Sequence, residues 1–597
     1  MTSAARAIFA VLVAATFGAF FVAQRLKHAP TVLQDVRGRK VFSPNGDGRK
    51  DKLRVSFKVK NADVISVDVI DDDDEIVASL VEDRRVRAAT PTTVQWNGRE
   101  ESGTRAPDGT YRMQVTLRNE GRTVTVRRRY ILDTTPPEPE VTDVGPGTGD
   151  GPELLPNAGG VALIHTSPAG RRPQVVIFRT SGEEPEQVAE LPLADRTARW
   201  DGKVDGRAAP PGTYLAVAQW RDRAGNVGSS VPLEDDKPEL AYGQKLPGHG
   251  GITIRQLELQ PPAVPVGAGN KITIGVDARG RRYQWSLRRL GATQPERSGS
   301  TTRTPFTVPA PRGDEGLFLF EAHVGRHVAT APVAVTNPGT NKVLVVLPFM
   351  TWQGRNPVDD DGDGAPNVLD RGQEARAVRV FAGGALPEGF REAEGPLLAY
   401  LSRNDRSFDI TTDVALMVGR GPKLAGHRGV LLPGDVRWLP RDLQLKLRGF
   451  VRDGGTLMLT GTDSLRREVT FSPDGKLARP TPPAAANLFG TKLRKVVEEP
   501  TTVTNLDDKI SLFSGDVYGG TGVFAGFAGY EPTAALGDDE ELAADAVTGD
   551  GDVVLVAARY GKGLEIRTGL LDFATRLNAD ANTGQLALRA WTLLANG

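Results

Sequence analysis

The feature that most limits what this chain can fold into is a motif that occurs twice. Trp96-Asn97-Gly98 is followed by "APDGTY" ending at Tyr111, and Trp200-Asp201-Gly202 by "APPGTY" ending at Tyr214, with nearly equal spacing. A matched pair of this kind marks an internal repeat, so whatever the first copy folds into, the second must repeat. Around the first copy, short apolar runs ("LRVSFKV", "VISVDVI", "YRMQVTL", "VTVRRRYIL") alternate with turn-rich pieces. Period-two alternation with frequent turns predicts an antiparallel sandwich. The repeat therefore predicts two sandwiches, over residues 31–135 and 136–240.

In each copy the Trp is expected to anchor a core. Asn or Asp with Gly makes one tight turn, and Pro-Asp-Gly or Pro-Pro-Gly makes the next before Tyr enters a strand. A ligand face built from these rings is the alternative; the core is the reading preferred. On these residues the segment resembles the immunoglobulin-like domain of the flagellar hook-capping protein, and that resemblance implies a spacer or adhesive fold without catalysis. "FSPNGDGRKDKL", Phe42 to Leu53, resembles the SPNGDG motif of secreted, surface-attached bacterial proteins. Asn45, Asp47 and Asp51 offer oxygens to calcium there, with a solvated Asx turn as the other reading. "DTTPPEPE" from Asp133 and "RDRAGNVG" from Arg221 read as linkers, and Asp71 to Asp74 as a solvated hairpin turn.

Residues 250–337 alternate again ("KITIGV", "YQWSLRRL", "LFLFEAHVG") without the Trp and Tyr signature, which predicts a third, different β module. From 341 the period changes. "VLVVLP" is a continuous apolar run of the buried parallel-strand kind; "PLLAYLSRND", "RDLQLKLRGFVRDGG" and "GQLALRAWTLLANG" are helical; "FDITT", "GVLLPG", "TLMLTG" and "DVVLVAARYGKGLEIRTG" are strands. Alternating strand and helix predicts a doubly wound α/β domain over 341–597, of the flavodoxin-like or glutamine amidotransferase-like type, with ligands outside the carboxyl ends of its strands.

Taken together, "KVLVVLPFMTWQGRN", "LLAYLSRNDRSFDITTDVAL", "GVLLPGDVRWLP", "FVRDGGTLMLTG" and "YGKGLEIRTG" make this part resemble the C-terminal region of the N,N-dimethylformamidase beta subunit family, related in fold to class I glutamine amidotransferases. The resemblance implies amide hydrolysis, and in the true dimethylformamidase an iron held by tyrosines and a glutamate. The chain departs from both patterns. Gly461-Thr462-Asp463-Ser464 stands where an amidotransferase cysteine is expected, and Asp435-Val436-Arg437-Trp438 where a tyrosine ligand is expected. Ser464 needs an imidazole to become a nucleophile. The domain's one histidine, His427, precedes "GVLLPG" at the opposite, amino edge.

Aspartates gather at the expected carboxyl edge: Asp413, Asp435, Asp463 and Asp572 each follow a strand, with Trp352 and Trp438 in adjacent loops. Such a cleft suits a sugar held by stacking and hydrogen bonds, or two carboxylates acting as acid and base, for which Asp463 and Asp435 are the catalytic candidates. Helix and turn capping is the plain alternative. One further loop is unusual. "VDDDGDGAPNVLD", Val358 to Asp370, holds five aspartates. Asp359, Asp361, Asp363, Gly364, Asn367 and Asp370 fall on positions 1, 3, 5, 6, 9 and 12 of an EF-hand-type loop, and Ala365 would offer its carbonyl at position 7. Position 12 is Asp rather than Glu, position 8 is Pro366, and no helix precedes it. The expectation is a solitary, structural calcium loop pinning a long connection; hard oxygen ligands without imidazole favour calcium over iron or zinc.

With 597 residues the chain needs several cores, and 74 basic against 74 acidic residues with no basic run argue against nucleic acid. Cysteine is absent, which excludes disulfides, thiolate metal sites and a cysteine nucleophile. Arg6 precedes an apolar stretch from Ile8 to Ala23, closed by Arg25 and Lys27. Over 1–30 this predicts an uncleaved signal anchor or membrane segment, since bulky Phe21 in Phe21-Val22-Ala23 does not suit a cleavage site; secretion after cleavage is the alternative. The whole then reads as a membrane-tethered, extracytoplasmic protein whose C-terminal domain binds an envelope glycan or a surface protein. A hydrolase of amide or glycosidic bonds and a pure spacer are its rivals.

Overall fold

The computed structural model describes residues 3–27, 32–146, 153–156, 160–313, 315–337, 339, 341–513 and 522–596, and the side chains of all these except 3–7 and 21–27. Strand dominates, at 43% against 13% helix, so the fold is carried mainly by sheets. The chain forms two compact units: 1–139 with 168–173 and 219–229, and 140–167 with 174–218 and 230–597.

The first helix, Ser3–Lys27, exposes more than half of Ile8, Phe9, Val11, Leu12 and Phe17. Among the described residues no helix is long and apolar enough to cross a membrane. The side chains of Arg6, Phe21, Val22, Ala23, Arg25 and Lys27, which carry the anchor expectation, lie outside the described residues.

The N-terminal domain is an Ig-like sandwich. Leu33–Gly38, Leu53–Val59 and Pro91–Trp96 form one antiparallel sheet; the other runs Val41–Phe42, Tyr130–Leu132, Gly109–Leu117, Asp63–Ile70, Ile76–Val86. Its short first strand is parallel to its neighbour and the rest pair antiparallel. The alternation does what it must: Leu53, Val55, Phe57 and Val59 point into the core while Arg54 is exposed. The repeated motif turns out to be a clasp. Trp96 Nε1 donates to Arg99 O (2.8 Å), Tyr111 Oη to Pro107 O (2.6 Å), and the two rings meet edge-on at 4.8 Å. The second copy repeats every contact: Trp200 to Lys203 O (3.0 Å), Tyr214 to Pro210 O (2.6 Å), rings at 5.0 Å. All four rings are buried, as a core role requires.

The second sandwich faces Val141–Gly145, Ala162–Thr166 and Thr197–Trp200 against Glu153–Pro156, Gly251–Arg255, Gly212–Arg221, Arg171–Arg179 and Glu186–Pro192. Gly251–Arg255, which the expected boundary at 250 assigns to the next module, pairs with Gly212 to Leu215 and completes this sheet. The third module carries no Trp and Tyr clasp, yet its strands follow the same order. Glu258–Gln260, Lys271–Asp277 and Phe306–Pro309 face Val266–Gly267, His327–Thr336, Gly316–Val324, Tyr283–Arg289 and Arg297–Thr301, again with a short parallel first strand. The expectation of a different module gives way to one plan used three times.

"RDRAGNVG" is not a free linker. Within the first unit Asn226 is 1% exposed; its amide donates to Asp133 O (2.9 Å) and Asp222 Oδ2 (2.7 Å), and its oxygen accepts from Ser43 Oγ (2.5 Å). Proximity of these polar groups in the fold, invisible from spacing, is what buries the turn.

In the C-terminal part an eleven-stranded sheet opens with five parallel strands in the order Asp409–Thr412, Val343–Leu347, Gly429–Leu432, Thr456–Leu459, Gly563–Thr568. Antiparallel strands Val553–Tyr560, Glu540–Thr548, Thr501–Asp508 and Val523–Phe527 continue it. Alternate residues of the central strands feed two cores. Val343, Val345 and Leu347 pack with helices Glu394–Arg403 and Ala581–Asn596; Leu344 and Val346 pack with helix Arg441–Arg452.

Candidate functional site

Three places hold the predicted site residues: the acidic loop, the SPNGDG loop and the carboxyl edge of the parallel strands.

The acidic loop folds around its own backbone. Gly362 (φ +78°) and Gly364 (φ +87°) take the left-handed turns that L side chains resist. These turns aim amides inward: Asp359 accepts from Gly362 N (2.7 Å), Gly364 N (3.0 Å) and Asp361 N (3.2 Å), and Asp363 from Ala365 N (2.8 Å). The loop is seated on the second sandwich, in the same compact unit. Asp363 also accepts from Leu246 N (3.0 Å), Gly251 N donates to Gly362 O (3.0 Å), Thr180 Oγ1 donates to Gly364 O (2.6 Å), and Ala365 enters the core formed by Val176, Phe178, Leu215 and Val217. A side chain at Gly251 would fall 2.7 Å from Asp359 Oδ2, so the fit is close.

The structure brings the carboxylates of Asp359, Asp361 and Asp363 within 4.8 Å of one another. Burial, then repulsion from Asp363, pushes Asp359 up to about 7, and burial likewise raises Asp363. Asp361 Oδ2 pairs with Lys245, whose pKa that pairing raises, while Asp361 Oδ1 is buried with no hydrogen-bond partner. The remaining predicted ligands go elsewhere. The Asn367 side chain accepts from Asp360 N, and Asp370, 41% exposed, faces Arg355 (3.7 Å) and Arg437 (3.6 Å). Arg379, which the sequence reading passed over, supports the loop from beneath. Buried, it donates to Val358 O (3.1 Å), Gln353 O (2.7 Å), Asn356 O (2.9 Å) and Asn367 O (3.0 Å) and pairs with Asp360 (2.7 Å). Its only trace in the sequence is a lone Arg inside the otherwise apolar "VRVFAGG".

The SPNGDG loop is built differently. Asn45 Oδ1 accepts from Asp47 N (3.1 Å), Asp47 from Arg49 N (2.7 Å), and Asp51 from Gly46 N and Gly48 N (2.9 Å each), all at the exposed surface. It is a chain of Asx turns.

At the carboxyl edge the two tryptophans present no face to a sugar. Trp352 is 3% and Trp438 1% exposed; Trp352 Nε1 donates to Glu394 Oε1 (3.0 Å) and packs on Phe349 and Phe390, while Arg467 covers the Trp438 ring at 5.3 Å. Trp352 stands in the helix Phe349–Arg355 and Trp438 in the short strand Trp438–Leu439, not in open loops, which corrects the stacking expectation. Asp413 is buried too, accepting from Met350 N (3.1 Å) and Val414 N (2.7 Å), and burial lifts its pKa to about 7. Asp572 accepts from Ala528 N (3.0 Å).

Asp435 and Asp463 do come together, around Arg437. That guanidinium lies 3.5 Å from Asp435, 4.0 Å from Asp463 and 3.6 Å from Asp370. Asp463 also pairs with Arg467 and Arg466, and its amide donates to Glu531 (3.1 Å), itself buried against Arg567 (3.3 Å). Burial raises Glu531, and raises Glu394 to about 8. Glu394, Glu531 and Arg437 were not among the candidate site residues; Arg437 stands in the Asp435–Trp438 segment, where the reading looked for a tyrosine. Ser464 Oγ donates to Thr462 O (3.1 Å) and accepts from Val436 N (3.0 Å), and His427 faces Asp409 (3.0 Å) and Lys423 O (2.8 Å), so no serine and imidazole pair forms. Nor do the residues fit iron: the loop after Gly429–Leu432 offers no tyrosine, and the centre of its carboxylates is taken by a guanidinium.

Comparison with known proteins is informative at one end of the chain. Residues 45–121 match the FlgD Ig-like domain. That segment covers the core of the first sandwich, so the repeat resemblance holds there. No curated protein matches the chain in sequence. Similar solved structures include an exo-β-1,4-mannosidase from Opitutaceae bacterium strain TAV5, 10% identical over 43% of this chain and 36% of that chain, TM-score 0.25. A GH42 β-galactosidase from G. stearothermophilus is 14% identical over 41% and 30%, TM-score 0.23, and a 1.5-MDa bacterial ice-binding adhesin 12% identical over 51% and 96%, TM-score 0.23. The chain spans about a third of the length of either glycosidase. Scores this low carry no argument about function.

Proposed function

We propose that the protein binds and presents a ligand at the cell envelope: the sandwiches serve as spacers, and the C-terminal part, a doubly wound α/β domain of dimethylformamidase-like type, holds an envelope glycan or a surface protein without cleaving it. The observation that carries this reading is Arg437 lodged among Asp370, Asp435 and Asp463. Both candidate catalytic carboxylates are already engaged by guanidinium groups, which leaves neither free as nucleophile or base. A partly exposed alternation of carboxylate and guanidinium suits sugar hydroxyls or a charged protein surface instead. The strand order, 2-1-3-4-5 when the parallel strands are numbered along the chain, supports a ligand crevice at this edge. The exposed apolar helix Ser3–Lys27 supports attachment to a membrane.

A structural calcium belongs to the same reading. Asp359, Asp361 and Asp363 would hold it through hard oxygens, with the Ala365 carbonyl, and it would tie the long connection after Val343–Leu347 to the second sandwich. The buried, unpartnered Asp361 Oδ1 supports this assignment.

Three experiments test this reading. Elemental analysis of the purified protein should find calcium, lost with thermal stability on Asp361→Ala; stoichiometric iron or zinc would overturn it. Envelope glycans should be retained by the full chain and released by Arg437→Ala. Turnover of amide or glycoside substrates abolished by Asp463→Ala or Asp435→Ala would instead make the protein a hydrolase.

A further inference from the structure

A further groove lies at neither of these places. It has a volume of about 860 Å³ and runs between the helices Asp413–Val418 and Arg441–Arg452. Its lining includes Arg428, just before strand Gly429–Leu432, and Gly454-Gly455, just before Thr456–Leu459, which puts it at the amino edge of the sheet.

The groove has two characters. Its walls include Leu416, Leu424 and Phe450, half-buried side chains packed on the helix-side core with their remaining surface toward the cavity. Its rim is basic: Arg420, Lys423 and Lys446 are all exposed, and among the described residues none of them is in an ion pair. The one acid in the lining, Asp453, is paired with Arg452 (3.1 Å). The neighbouring His427 is already spent on Asp409 and a backbone carbonyl.

An occupant must therefore satisfy uncompensated cations at the rim and apolar walls below. A neutral lipid meets only the second demand, and a sugar or free phosphate only the first. Cavities of roughly 300–1,000 Å³ take ligands of small-molecule size. We propose that this groove binds an anionic amphiphile, a single acyl chain with a negatively charged head: the chain lies against Leu416, Leu424 and Phe450, and the head meets Arg420, Lys423 and Lys446. Apolar burial supplies the affinity and the rim sets the head-group preference. The inference does not rest on the carboxyl-edge reading, since the two places share no residue.

The test is titration calorimetry of the full chain with dodecanoate and with dodecanol. Because the exposed apolar side chains of the first helix offer an acyl chain a second place, the deciding quantity is the difference between variants. Lys423→Glu and Lys446→Glu change exposed side chains and should each weaken dodecanoate binding about tenfold, with dodecanol weaker than dodecanoate by a similar factor. Lys271→Glu, on an exposed position of the third sandwich, should leave binding unchanged. Equal affinity for dodecanol and dodecanoate, or dodecanoate binding that ignores both groove reversals, would overturn the proposal.

Discussion

Two Asp- and Gly-rich loops in this chain look alike on paper and behave as opposites. "SPNGDGRKD" and "DDDGDGAPN" share spacing, glycines and acids. In the first, each carboxylate accepts from its own loop's amides in open solvent. In the second, Asp359 makes the same kind of bond to Gly362 and Gly364, but 3% exposed and beside two more carboxylates. The difference comes from what lies underneath: the second loop is pressed on the second sandwich and held from below by Arg379. Burial turns a turn motif into a charged site, because the same three carboxylates that water would screen are left facing one another.

Breaking the buried loop should have the largest effect. Asp359→Ala strands at least two inward amides and should cost about 3 kcal/mol, read as a lower urea midpoint for the transition that includes the second sandwich. An effect no larger than that of an exposed turn would erase the contrast between the loops. Next comes the inner end of the SPNGDG loop, where Ser43 meets Asn226. Asn226→Ala removes one acceptor and several donor contacts in a buried position and should cost about 2 kcal/mol, so this loop's strength resides in its amide neighbour and not in its acids.

The contrast extends to single acids. Asp413 and Glu394, raised by burial to about 7 and about 8, keep their protons in the folded protein at a pH where the unfolded chain has lost them. Stability from these groups is fully present below about pH 4 and declines as pH rises through the folded values, by at most about 1.4 kcal/mol per unit for each group. Urea midpoints between pH 5 and 9 should therefore fall with rising pH, and Glu394→Gln should flatten the fall; an unchanged slope would mean that Glu394 is not a buried acid. The smallest effect is expected at Asp51. Although it accepts from two amides, as Asp359 does, Asp51→Ala should cost less than about 1 kcal/mol in thermal unfolding, because water replaces the acceptor.

How far the sequence could be read follows the range of each signal. The repeated Trp was legible as a core anchor, and the turns beside it and the Tyr were legible too, because the turn residues adjoin these rings in the chain; the clasp itself, Trp96 on Arg99 and Tyr111 on Pro107, came only with the structure. The strand and helix alternation between residues 343 and 459 was legible because apolar period is written locally; from 467 to 568 the regular elements among the described residues are strands, which the expected alternation did not foresee. The third sandwich hid its kinship because the shared plan is carried by strand order and not by the clasp residues.

What the chain settled by itself is therefore local: which segments alternate, where they turn, and which rings of the repeat enter the core. What only the tertiary structure decided is the fate of the polar groups. It buried Trp352 and Trp438, gave Asp463 to arginines, drew Asp370 away from the acidic loop, and brought Leu246 against Asp363 from more than a hundred positions away. The reason is physical: hydrophobic period depends on residues a few positions apart, whereas a carboxylate's charge state and partners depend on the water it loses and the groups that replace it, and those arrive from distant parts of the chain.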